Sequence, residues 1–147
     1  LGESEVTGDG FHSGETTAGR AIRHRLSDER IELPRIHEGE ARAQSYKYVY
    51  GIGEKEVGSF ADQLVKIDVE TGSSQTWDEN ETYPGEPVFV PDPDGSDEDD
   101  GVVLSVVLDP DAKRSFLLVL DAKSFTERAR AEVPHPIPFG FHGQFFS

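Results

Sequence analysis

The sequence contains no cysteine and no methionine among its 147 residues. The absence of cysteine excludes a disulfide scaffold, a thiol nucleophile, cysteine-ligated zinc and an iron–sulfur cluster. No apolar run approaches the roughly 18 residues of a membrane-spanning helix, and no basic-then-apolar segment typical of a secretion signal opens the chain. The first residue is Leu1, and we therefore expect the sequence to be a piece of a longer chain.

Cationic side chains are also scarce. Lys and Arg together number 14 against 29 Asp and Glu, which gives a formal net charge of −15. A surface this negative repels phosphate, so we expect no nucleic-acid partner. Acids dispersed along the whole chain, with few lysines, favour a halophilic source, in which salt screens the repulsion between carboxylates. An ordinary acidic protein is the alternative interpretation.

Apolar residues occur in short runs separated by turn signals, which predicts an all-β chain. Tyr46–Tyr50 has a tyrosine at every second position with Lys47 and Val49 between them, and Leu64–Val69 precedes the turn signal Glu70-Thr71-Gly72, a hairpin pattern. Val102–Leu108 and Phe116–Leu120 are continuous apolar runs that predict two buried antiparallel strands. The pattern excludes a helical bundle and leaves a sandwich, a barrel and propeller blades open.

The remaining segments give weaker patterns. Arg20–Leu26 and the short apolar stretch Glu86–Val90 are predicted strands, and residues 121–130 are predicted to form a brief helical turn. The tail Val133–Phe146, rich in proline and phenylalanine, predicts an extended loop. Residues 1–19 are polar and glycine-rich, and we expect them to be poorly ordered.

Two segments are partial matches to ligand-binding motifs. Asp92–Asp100 is strongly acidic, but Asp97 occupies the place where an EF-hand needs glycine, so the run predicts a solvated loop. Gly51-Ile52-Gly53 lacks the third glycine and the following helix of a dinucleotide-binding motif, and we interpret it as a turn.

Histidines are the remaining candidates for chemistry. They are His12, His24, His37, His135 and His142, and no pair has the helical spacing of a metal motif. We predict a solvated surface position for His12, His24 and His37, and a structural role for His135, which lies between two prolines. His142 differs because it lies in Phe139-Gly140-Phe141-His142-Gly143, where prolines upstream fix the approach, glycines allow close backbone contact and phenylalanines would shield the imidazole from water. Such a setting suits a metal ligand, and it also suits a buried histidine that donates to a backbone carbonyl.

Six segments taken in order resemble the C-terminal part of the carotenoid cleavage oxygenases, and they cover most of the chain after residue 20. They are Glu32-Leu33-Pro34-Arg35-Ile36, Tyr48-Val49-Tyr50-Gly51, Gly85-Glu86-Pro87-Val88-Phe89-Val90-Pro91, the run from Glu98 to Val107, Leu118-Val119-Leu120-Asp121-Ala122, and Ile137-Pro138-Phe139-Gly140-Phe141-His142-Gly143. The resemblance implies a seven-bladed β-propeller in which four histidines hold a non-haem Fe(II). It also implies a reaction with O₂ that cleaves a conjugated double bond of a carotenoid or apocarotenoid.

The resemblance further implies roles for four residues. His142 would be the last of the four iron ligands, and Glu32 and Glu86 would accept hydrogen bonds from ligand histidines. Phe141 would line the substrate cavity. Residues 1–147 would form the C-terminal part of a single propeller domain whose other three iron ligands lie upstream, so we expect this piece alone to bind iron weakly and to cleave nothing.

Two alternatives remain from the sequence. One is a non-catalytic acidic β-propeller module that serves binding, and the other is a retinoid-type isomerase on the same fold. We expect a cytoplasmic location, with any peripheral membrane contact made by upstream sequence, since no apolar patch for docking is evident in this piece.

Overall fold

A computed structural model describes residues 12–17, 20–41 and 45–146. This part of the chain is all-β, as predicted, with three antiparallel sheets and a single helical turn, α1 (Glu38–Ala41). The strands are β1 (His12–Thr17), β2 (Arg20–Arg25), β3 (Glu32–Arg35), β4 (Tyr48–Gly53), β5 (Gln63–Asp68), β6 (Ser74–Trp77), β7 (Tyr83–Pro84), β8 (Val88–Pro91), β9 (Gly101–Asp109), β10 (Arg114–Asp121) and β11 (Glu127–Val133). Within the described ranges, no helix has the length and hydrophobicity that a membrane crossing requires.

The four-stranded sheet has the order β3-β4-β5-β6, so each strand pairs with its neighbour in the chain. The predicted hairpin after Leu64–Val69 is confirmed: Gly72 adopts a φ of 74° and its N–H donates to the Asp68 carbonyl at 2.8 Å. Glycine suits this turn because a side chain there is strained at positive φ. The strand predicted from Tyr46–Tyr50 is present but lies two to three residues later, as β4.

The five-stranded sheet is built around β9, which pairs with β10 along one edge and with both β7 and β8 along the other. The two predicted buried antiparallel strands are therefore confirmed. The helical turn predicted for residues 121–130 is wrong in most of its length, because the chain makes a tight turn after Asp121 and continues as β11. Phe125 is buried in that turn, and its N–H donates to the Asp121 carbonyl at 2.8 Å.

Two predictions about the glycine-rich segments have different outcomes. The interpretation of Gly51-Ile52-Gly53 as a turn is wrong, because these residues end β4, where the backbone of its antiparallel neighbour β3 approaches closely. A Cβ at Gly51 would lie 2.6 Å from the Glu32 carbonyl oxygen, so only glycine permits this approach. Of the stretch 1–19, residues 12–17 form β1, which pairs with the predicted strand β2, and the others lie outside the described residues.

The main core lies between the four-stranded and the five-stranded sheets. Its fully or nearly buried members are Tyr50, Leu64, Val103, Val107, Phe116, Leu118, Leu120, Ala122 and Phe125. A smaller cluster of Val49, Val65 and Ile67 covers the opposite face of the four-stranded sheet. Both faces of β4 and β5 are therefore apolar, as in a propeller blade that packs between neighbouring blades.

One charged residue lies inside the main core. Lys66 on β5 shares a face with Leu64, and its Nζ lies 2.7 Å from Asp99 Oδ2, with side-chain exposures of only 3% and 6%. Nζ also donates to the Ala122 carbonyl at 2.8 Å and lies 4.1 Å from the centre of the Tyr48 ring. The pair therefore joins the four-stranded sheet to the loops at one end of β9 and β10.

The acidic run Asp92–Asp100 is a loop, as predicted, but only its first part is solvated. Asp92–Asp97 are exposed, whereas Glu98 accepts the N–H groups of Lys47 and Tyr48 at 2.8–2.9 Å. Asp100 receives a hydrogen bond from Lys123, which is the main cause holding its pKa below the ordinary value. The end of the loop thus ties the two sheets together.

We expect Asp99→Asn to lower the free energy of unfolding by about 3–5 kcal/mol, because it leaves the Lys66 charge buried without a partner. The matched control is Asp97→Asn, which removes an exposed carboxylate from Lys123 and should cost about 1 kcal/mol or less. The double variant Lys66→Met/Asp99→Leu should recover most of the loss. Urea unfolding measures all three, and equal effects of the two single variants would contradict the role of the buried pair.

Candidate functional site

The site begins at an interruption in one edge of the five-stranded sheet. Between β7 and β8 the chain leaves the ladder at Gly85-Glu86-Pro87, and Pro87 has no N–H with which to continue it. Ser105 donates its hydroxyl to the Gly85 carbonyl at 2.8 Å and so holds the break in place. The Glu86 side chain is left pointing off the ladder and is only 5% exposed.

Glu86 accepts two hydrogen bonds from the C-terminal tail. Its Oε1 lies 3.0 Å from His142 Nδ1, and its Oε2 accepts the Gly143 N–H at 2.8 Å. Because an ionised carboxylate only accepts, the Nδ1 atom that faces it carries a proton, and Nε2 is the ring nitrogen left available to a metal ion. The carboxylate therefore fixes both the ring and the nitrogen that can bind a metal ion.

The tail is brought to this point by the end of the five-stranded sheet. Ser115, fully buried on β10, accepts the Ile137 N–H at 2.9 Å and donates its own N–H to the His135 carbonyl at 3.2 Å. Residues 134–146 contain no helix or strand, in agreement with the predicted extended loop. His142 is thus held at both sides, by Ser115 upstream and by Glu86 at the ring itself.

The imidazole of His142 is more open than the sequence indicated. Its side chain is 62% exposed, and Phe141, expected to shield it, is itself 70% exposed. The Phe141 ring contacts the imidazole edge-on, with 4.3 Å between ring centres, and covers only one side. The expected shielding is therefore wrong for the described residues, because Phe141 makes only an edge-on contact with the imidazole.

Glu32 and Phe141 lie on a shared groove of about 630 Å³, which Glu86 and the exposed Phe60 also border. The Glu32 side chain is exposed, so it does not share the burial of Glu86. A smaller, mostly apolar cavity of about 290 Å³ lies on the other side of the tail, against Val88 and Leu104. The structure therefore brings Glu86, His142 and Phe141 together and places Glu32 on the same groove as Glu86 and Phe141, whereas His142 borders the smaller cavity.

Among the described residues, no three histidine or acidic side chains come close enough to form a metal cluster. His37 packs against Phe89 at 5.0 Å between ring centres, and His24 and His135 are exposed. The exposed position predicted for His24 is confirmed, whereas His37, predicted to be solvated, is half-buried against Phe89, and the side chain of His135, predicted to be structural, is exposed. The side chain of His12 lies outside the described residues. The described part of the chain can thus offer one imidazole, with its supporting carboxylate, to a metal ion.

Sequence reasoning missed one residue at this site, Arg35 on β3. Its guanidinium lies 3.6 Å from Glu86 Oε1 and 3.2 Å from Glu38 Oε1. No simple pattern pointed to it, because residues 32 and 35 would lie on opposite faces of a regular strand.

A family model described as retinal pigment epithelial membrane protein matches residues 8–147. The chain is 48% identical over 116 residues to the mitochondrial carotenoid-cleaving dioxygenase of Mustela putorius furo, covering 78% of this chain and 21% of that protein. It is 42% identical over 120 residues to the β,β-carotene 15,15′-dioxygenase of Homo sapiens, covering 81% and 22%. The chain therefore spans about a fifth of the length of these curated relatives.

Solved structures give the same picture. A chimera of apocarotenoid oxygenase with retinal pigment epithelial membrane protein superposes with a TM-score of 0.81 at 29% identity, covering 86% of this chain and 27% of that one. Cobalt-substituted apocarotenoid oxygenase from Synechocystis superposes with a TM-score of 0.80 at 28% identity, covering 85% and 27%. The fold shared with these enzymes is the β-propeller fold, which agrees with the prediction.

We expect Glu86→Ala to accelerate hydrogen exchange of the Gly143 amide by about tenfold or more, since hydrogen bonds to charged groups are worth about 1.5–3 kcal/mol. Exchange monitored by NMR measures the effect. The control Glu132→Ala removes an exposed carboxylate from the far strand β11 and should leave Gly143 unchanged. Equal protection of Gly143 in both variants would contradict the contact.

Proposed function

The chain belongs to the carotenoid cleavage oxygenase family, that of retinal pigment epithelial membrane protein, and on this premise we propose that it is the C-terminal part of a dioxygenase that cleaves a conjugated double bond of a carotenoid or apocarotenoid with O₂. The observation that carries the proposal is the hydrogen bond between His142 and the nearly buried Glu86. In the proposal, residues 1–147 close a single propeller domain of seven blades, whose remaining blades come from upstream sequence.

We propose Fe(II) as the metal of the complete enzyme, and one of the solved relatives supports a metal site by carrying cobalt. The residues at hand fit such an ion. His142 Nε2 has its lone pair directed away from Glu86 and is open, as a ligand must be. Imidazole is a suitable ligand for Fe(II), which would supply the site for O₂ chemistry when bound.

In this proposal Glu86, Glu32 and Phe141 each have a distinct role. Glu86 accepts from Nδ1 and sets the ring orientation, and its negative charge partly offsets that of the metal. Glu32 would do the same for a ligand histidine supplied by upstream sequence, and its exposed position on the groove supports this role. Phe141, beside the imidazole, offers an apolar surface on which a polyene could lie without hydrogen-bonding partners.

Replacing His142 tests the proposal. In the complete enzyme, His142→Ala should remove most of the bound iron and abolish cleavage, while the fold is retained. Glu86→Gln should weaken metal affinity by about 10–100-fold, the usual effect of losing a partner of a metal ligand. Metal analysis, circular dichroism and product detection with an apocarotenoid substrate measure these effects.

The matched control is His135→Ala, which changes an exposed histidine of the same tail and should leave iron and turnover unaltered. The isolated 147-residue chain should retain little iron and give no product. Full iron content in His142→Ala would contradict the proposal and favour a non-catalytic binding module. An isomerised product of unchanged length would instead indicate the retinoid-type reaction.

We also propose a cytoplasmic, salt-adapted enzyme, with any peripheral membrane contact made by upstream sequence. The exposed carboxylates of the acidic loop support the salt adaptation. The melting temperature should rise between 0.1 M and 1 M KCl, as the Debye length falls from about 10 Å to about 3 Å. The triple variant Asp92→Asn/Asp94→Asn/Asp97→Asn should show a smaller rise, and a melting temperature that falls with KCl would contradict the proposal.

A further inference from the structure

Arg35 contacts the His142–Glu86 pair from the other sheet. Its guanidinium lies 3.6 Å from Glu86 Oε1, the same oxygen that faces His142 Nδ1 at 3.0 Å. The Arg35 side chain is 18% exposed, and its second ion-pair partner is Glu38, at 3.2 Å. Arg35, Glu86 and His142 therefore form a series of contacts that leads from the four-stranded sheet to the imidazole.

A bulge in β3 is what brings Arg35 to this side. Glu32 pairs with Ile52 and Arg35 pairs with Tyr50, so three steps along β3 match two along β4. Within the bulge, Leu33 adopts a φ of 49°, which is uncommon for a residue other than glycine. Because directly paired residues lie on the same face, Glu32 and Arg35 both face the side of Tyr50 and Ile52.

Charge balance gives this contact its importance. A carboxylate that is 95% buried is costly unless it is paired or well hydrogen-bonded, and its two partners in the tail are a backbone N–H and the His142 imidazole. Among the described residues, Arg35 is the one permanent cation within ion-pair distance of Glu86. It therefore compensates the charge of Glu86 and restrains the oxygen that orients the ring.

We propose that Arg35 is a positioning residue for the metal ligand His142, acting through Glu86. This inference rests on the proposed function and adds to it a residue that does not touch the metal, the substrate or the imidazole. Without Arg35, Oε1 loses its cationic partner, and the ring is held less firmly in the orientation that presents Nε2.

The test is a cobalt titration of the complete enzyme freed of its metal, followed by absorption spectroscopy. Arg35→Gln should raise the cobalt dissociation constant about tenfold, within the range seen when partners of metal ligands are lost. Arg35→Lys, which keeps the cation, should recover part of that loss. The matched control Arg30→Gln removes the neighbouring arginine, which pairs with Glu54 instead, and should leave cobalt affinity unchanged.

A double-variant comparison separates positioning from a general effect on folding. If Arg35 acts through Glu86, Arg35→Gln should cause no further loss of cobalt affinity in a Glu86→Gln background. The inference is overturned if Arg35→Gln binds cobalt like the parent enzyme, or if it loses the same factor in both backgrounds. If His142→Ala leaves cobalt affinity unchanged, the proposed function fails together with the inference, whereas a failure confined to Arg35 leaves the proposed function standing.

Discussion

The buried ion pair of Lys66 and Asp99 joins two sheets whose main contact is a core of apolar side chains. Apolar contacts are not directional, so they favour contact between the sheets without fixing how one slides over the other. The pair adds direction, because Nζ must reach both the Asp99 carboxylate and the Ala122 carbonyl. The relative position of the sheets then determines whether Arg35 on one sheet meets Glu86 on the other.

Buried charge recurs at the candidate site on a smaller scale. At Glu86 a carboxylate is again almost removed from water, but here its partners include a backbone N–H and an imidazole that remains open on its far side. The core pair is closed on all sides, which suits a structural role. The pair at the site leaves one nitrogen without a protein partner in the described residues, and such an incomplete set of contacts is what a ligand requires.

The strand pattern could be predicted from the sequence wherever apolar runs were bounded by strong turn signals. Val102–Leu108 and Phe116–Leu120 are such runs, and they are paired as expected. Prediction failed where one residue type is typical of two local structures. Gly51 was interpreted as part of a turn, although it lies in β4, where the missing side chain allows the paired strand β3 to approach closely. The burial of Lys66 could not be predicted, because its partner Asp99 lies 33 positions away in a loop that was predicted to be solvated.

The candidate site was predicted from the sequence in part. His142 and Glu86 were identified through motifs, and their side chains do lie together. The position of Arg35 depends on a bulge in β3, and no pattern in the sequence predicts that bulge. The openness of the imidazole also escaped prediction, because aromatic neighbours in sequence need not cover a ring in space.

The close approach of β3 to β4 at Gly51 has a consequence for the effect of mutations at this position. Any side chain there would push β3 outward by way of the Glu32 carbonyl, and Glu32 and Arg35 would move with the strand. A missense change at a residue that carries no functional group would thus have the same effect as a change at the candidate site itself. A survey of variants that considers only the chemical similarity of the exchanged residues would miss this effect, because replacing glycine with alanine in a strand is ordinarily a mild change.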